Sequence, residues 1–147
     1  MPGFEFGTDG PSLILVGVDG SRTSLRAAAY AAGLARRQGC RVLAVYVSKL
    51  PATASLAPDA AAAMRETFDH TADELEKLIL SRAAQLGVDA EFRSVSGDPL
   101  TELTTIAAQT RADAVVVGAS EHVGHRIIGS LASRLMRARK WPVTVVP

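Results

Sequence analysis

Asp19 stands at the end of an apolar run, Leu13-Ile14-Leu15-Val16-Gly17-Val18, and is followed at once by Gly20 and Ser21. A carboxylate in that place accepts hydrogen bonds from a ribose or adenine group, or approaches a magnesium ion bound to phosphates. The same carboxylate also suits an Asx-turn or a helix cap. A second apolar run, Ala114 to Val117, enters Gly118, and a Gly129-Ser130 pair opens the helix that follows. Glycine lets backbone approach a phosphate closely, and Ser130 adds a hydroxyl to the free N–H groups of a helix start. The plainer use of these residues is a tight strand exit and an ordinary N-cap. Taken with Asp19, they describe a nucleotide site at the carboxyl ends of buried strands.

Other residues with chemical potential are less well set. His122 and His125 are three apart and Arg126 follows, yet no carboxylate or cysteine lies at helical spacing to complete a metal set, and HExxH is absent. Solvated loop residues, or support for phosphate oxygens, suit them better. Gly97-Asp98-Pro99 serves equally as a wall of the base pocket or as a turn feeding a helix. The single cysteine, Cys40, excludes an internal disulfide and reads as a small buried residue just before a strand. There is no GxxxxGK[ST] loop, no GxGxxG fingerprint and no GxSxG elbow. Without a nucleophile paired to a base, the sequence points to binding.

The elements that must position these residues alternate regularly. Strands are expected at about 13–18, 42–47, 88–95, 113–118 and 143–146. Helices are expected at about 23–38, 59–86, from Pro99 onward, and 129–139. Leu25, Ala28, Ala29, Ala32 and Ala35 form an apolar stripe on the first helix, and Gly39 ends it. Pro51 to Pro58 is expected to be a loop. Strand–helix alternation of this kind implies right-handed crossovers and a parallel sheet. The terminal run Val143 to Val146 reads as a sheet edge in need of cover, from its own chain or from a second one.

The chain has 147 residues, 48% hydrophobic and only 5% aromatic, which suits one domain with an aliphatic core. A formal charge of +1 provides no field for nucleic acid or an anionic membrane surface. No stretch is long and apolar enough to span a bilayer, and the start lacks the pattern of a signal peptide. A cytoplasmic protein is expected, with residues 1–11 a flexible leader and 12–147 the domain.

The combination of these motifs resembles the universal stress protein A family. It comprises Asp19-Gly20-Ser21 before an alanine-rich helix, Val45-Tyr46-Val47, Val95-Ser96-Gly97-Asp98-Pro99, Val117-Gly118, Gly129-Ser130 and Pro142-Val143-Thr144-Val145-Val146. The resemblance implies an α/β fold with an open five-stranded parallel sheet in order 3-2-1-4-5 and helices on both faces, like the adenine nucleotide alpha-hydrolases. It also implies a stress-response or regulatory role, a homodimer through Val143 to Val146 and, in one branch, ATP (with Mg) between strands one and four, with at most slow hydrolysis. Carried over by residue, Val18 and Asp19 lie near the ribose and adenine, and Val47 lies against the base. Gly118 lies beside the phosphates with Val117 before it, and Gly129, Ser130 and Leu131 form the phosphate-binding helix start.

This sequence departs from the family's nucleotide pattern, G-x2-G-x9-G-[ST], in two places. Glu121 takes the second glycine position, and the stretch from Gly118 to Gly129 is shorter by two residues. A carboxylate about 5 Å from a phosphate charge costs about 3 kcal/mol at an effective dielectric of about 20, roughly a hundredfold in affinity. Gly124, or the charge of Arg126 with His122 and His125, offers compensation. The alternative is a family member that binds no nucleotide and acts as a dimeric interaction scaffold.

Overall fold

Leu13–Val18 is apolar at nearly every position because both of its faces are covered: Leu13 and Leu15 pack into one helical layer, and Ile14, Val16 and Val18 into the other. The structure, a computed structural model, describes residues 11–121 and 130–147. In chain order the elements are β1 (Leu13–Val18), α1 (Arg22–Gln38), β2 (Arg41–Ser48), α2 (Pro58–Leu86) and β3 (Ala90–Ser96). Then follow α3 (Pro99–Thr110), β4 (Ala114–Gly118), α4 (Ser130–Ala138) and β5 (Val143–Val146). The leader expected at residues 1–11 falls, apart from Pro11, outside the described residues.

The sheet is parallel throughout, in the order β3-β2-β1-β4-β5, as the resemblance implies. Helices α1 and α2 cover one face and α3 and α4 the other, which is an adenine nucleotide alpha-hydrolase-like arrangement. From β1 the chain winds outward to β2 and β3, then crosses back to place β4 on the opposite side of β1. That reversal opens a crevice at the carboxyl ends of β1 and β4.

Local chemistry sets the element ends. The Ser21 hydroxyl accepts the N–H of Ser24 at 3.2 Å and caps α1, while Gly39 leaves it at φ 66°. Asp98 caps α3 by accepting the N–H of Thr101 at 3.1 Å. The Asp113 carboxylate ties the feet of β1 and β4 together, accepting the N–H groups of Ser12 at 2.7 Å and Leu13 at 2.9 Å. No helix among the described residues is long and apolar enough to cross a membrane.

Three expectations need correction. The buried line of α1 is Ser24, Ala27, Ala31 and Ala35, whereas Ala29 is exposed and Leu25, Ala28 and Ala32 are half-buried flankers. Small residues occupy the line where α1 meets the sheet, and Leu25, Ala28 and Ala32 share a cavity with Leu78, Ile79 and Ala83 of α2. Strand β3 begins at Ala90 instead of Val88, because the N–H of Val88 still bonds the Ala83 carbonyl at 2.9 Å as α2 ends. The segment after Pro51 contains a short 3-10 helix, Ala52–Leu56. Such a turn needs no apolar stripe, so it leaves no periodicity to read.

Candidate functional site

The crevice holds a cavity of about 220 Å³. Val18 and Asp19 reach it from the end of β1, Val47 from β2, Val117 and Gly118 from β4, and Ser130 and Leu131 from the start of α4. Residues separated by more than a hundred positions therefore share one wall. Gly129, Gly124, His122, His125 and Arg126 lie outside the described residues. Pro99 and Leu103 of α3 and Val45 of β2 also line the space, as do Ser21, Thr23 and Ser24 at the head of α1. Sequence reasoning missed the last three as site residues. Ser21 caps α1, and nothing local in the sequence shows that a cap and its neighbours also face a cavity.

Asp19 performs the structural task considered for it. Its Oδ1 accepts the N–H of Ser21 at 2.9 Å, which closes an Asx-turn. Its own N–H donates to the Ser24 hydroxyl at 3.2 Å. Burial works against ionisation of this carboxyl, but the hydrogen bonds from Ser21 and Ser24 outweigh it and hold the pKa below the ordinary aspartate value. The carboxylate is thus charged at neutral pH. An ionised carboxylate has about four acceptor sites, and the turn uses one of them.

Gly118 needs its missing side chain for a reason the sequence does not display. A Cβ there would stand 2.5 Å from the carbonyl carbon of Thr23 and 2.6 Å from the amide nitrogen of Ser24. The backbone of α1 occupies the space that a side chain at Gly118 would need, while Gly118 itself still lines the cavity. Thr23 fastens this junction, its hydroxyl donating to the Ala119 carbonyl at 2.6 Å.

Glu121 sits on the same junction. Its Oε1 accepts the N–H of Thr23 at 3.2 Å and lies 3.9 Å from the Nε of Arg22. The carboxylate lines the cavity while satisfying a free donor of the α1 N-terminus. In Gly97-Asp98-Pro99 the turn feeds α3, with Asp98 capping that helix and pairing with Lys49 at 3.4 Å, and Pro99 lines the cavity. Cys40 is buried, and burial pushes its thiol pKa up, which suits packing and not reactivity.

The model of the universal stress protein family matches residues 12–147, from the foot of β1 to the last residue. The chain belongs to that family. A universal stress protein of Methanocaldococcus jannaschii is 28% identical over 136 residues, covering 90% of this chain and 80% of the relative. A crystal structure of a universal stress protein family member from Burkholderia pseudomallei is 29% identical, with a TM-score of 0.73, covering 96% of this chain and 98% of that one. A universal stress protein solved in complex with cAMP is 26% identical, with a TM-score of 0.67, covering 92% of this chain and 96% of that one.

In this universal stress protein domain the described cavity wall is apolar on the β2 and α3 side and hydroxyl-rich at the head of α1. An apolar wall suits the face of a base, and hydroxyls with a charged carboxylate suit a ribose. The wall presents no paired nucleophile and base among the described residues.

Proposed function

We propose that this universal stress protein binds an adenine nucleotide in the crevice between β1 and β4 and serves a regulatory, stress-response role without turnover as its main task. The observation that carries the reading is that Asp19 and Ser130 line one cavity together with Val47. The relative solved with cAMP, similar over nearly its whole length, supports the same ligand class. In this reading Val47 and Val45 contact the base, Asp19 accepts from the ribose, and Ser130 with Leu131 receives phosphate at the head of α4. Val18, Val117 and Gly118 complete the wall, and Gly129 precedes the helix start. ATP with magnesium is one candidate ligand; AMP and cAMP are others.

The protein works in the cytoplasm as a homodimer through β5. That strand ends the sheet, and its four residues are all half-buried. Isothermal titration with cAMP, AMP and Mg-ATP tests the ligand: saturable heat at micromolar to millimolar nucleotide supports the reading. No heat from folded protein at millimolar nucleotide removes it.

The second reading is a dimeric scaffold of the same fold that binds no nucleotide. It is favoured by Glu121, whose carboxylate already occupies the α1 N-terminus beside the cavity. Nucleotide released on denaturing freshly purified protein, detected by mass spectrometry, counts against it.

A further inference from the structure

The charge on the described cavity wall is one-sided. Asp19 and Glu121 both line the space, and no lysine, arginine or histidine does so among the described residues. The other polar groups there are hydroxyls, including those of Ser21, Thr23 and Ser130. The Thr23 N–H holds Glu121 Oε1 at 3.2 Å toward the cavity, and the Thr23 hydroxyl bonds the Ala119 carbonyl at 2.6 Å. The cation paired with Glu121 among the described residues, Arg22, is 3.9 Å off with a side chain 83% exposed, so water and salt weaken the neutralisation.

Resting on the proposed nucleotide site, we infer that Glu121 sets the site's charge selectivity, favouring adenine ligands of low negative charge, the nucleoside and the monophosphate, over a metal-free triphosphate. Each added phosphate brings more negative charge toward this carboxylate, and the repulsion grows with it. The α1 N-terminus, which elsewhere would welcome an anion, already holds one of the protein's own. A divalent cation would lift the discrimination by screening the triphosphate.

The test is a titration of adenosine, AMP and ATP in EDTA against the wild type, Glu121→Gln and Arg22→Ala. In the wild type adenosine and AMP bind tighter than ATP. Glu121→Gln narrows the gap between ATP and adenosine by about tenfold or more, and Arg22→Ala widens it. Adenosine binding that persists with no gap, or a Glu121→Gln variant that shifts all three ligands by one factor, overturns the selectivity and leaves the site standing. Failure of every ligand to bind any of the three proteins overturns the site itself, and this inference with it.

Discussion

The carbonyl carbon of Thr23 lies where it would be 2.5 Å from a Cβ on Gly118, so the head of α1 rests directly on the end of β4. This contact closes one side of the crevice and sets where Asp19, Thr23 and Glu121 stand relative to Ser130.

Gly118→Ala is therefore expected to push α1 off the sheet. Backbone cannot yield as a side-chain tip does, and overpacking of this kind costs about 1–3 kcal/mol. Urea denaturation measures it. An unchanged midpoint would mean that α1 is free to withdraw.

Val145→Pro tests the proposed dimer apart from the fold. The carbonyls of Pro142 and Val146 accept from Val115 at 2.9 Å and Ala119 at 2.8 Å, so alternate residues of β5 bond inward. By the period of a strand, Val143 and Val145 turn their N–H groups to the open edge. Proline at Val145 leaves the ladder to β4 and removes an outward donor. Sedimentation should show a monomer with an unchanged circular dichroism spectrum; a persistent dimer places the seam elsewhere.

Asp113 makes stability depend on acid. Burial works against its ionisation, but the N–H groups of Leu13 and Ser12 outweigh it and lower the pKa below 3.8. A group depressed on folding stabilises above its unfolded pKa, and that contribution is lost as pH falls through the folded value. Stability should thus drop below about pH 4, and the drop should be smaller in Asp113→Asn. At neutral pH this variant loses about 1 kcal/mol. Thermal melts from pH 3 to 7 check both, and parallel curves for the two proteins would contradict the assignment.

Asp19→Asn tests the ribose contact. Removing the charge weakens a charge-assisted hydrogen bond by about 1.5–3 kcal/mol, roughly tenfold or more in nucleotide affinity. The Asx-turn survives, because the asparagine carbonyl also accepts the Ser21 N–H. Equal affinities in a titration would mean that the carboxylate serves only the turn.

The sheet was legible because β1, β2 and β4 carry unbroken apolar runs and because Gly39 and Gly87 stop their helices in the left-handed conformation that glycine favours. The cavity was legible at Asp19, Val47 and Ser130, which line it from strand or helix ends where this architecture opens. The phase of α1 was not, because an alanine-rich helix offers two nearly equivalent stripes, and contact with Gly118 and the sheet chooses between them. Nor was the purpose of Gly118 and Glu121. Both are explained by Thr23, a residue remote in sequence that only the folded crossover brings near.

The most direct test of the central claim is a nitrogen-15 NMR titration with AMP that follows backbone amides. The account predicts saturable shifts concentrated at Asp19, Val47, Gly118 and Ser130, with the far ends of the strands, such as Arg41 and Ala90, unmoved. Shifts confined to other surfaces, or none at millimolar AMP, would contradict it.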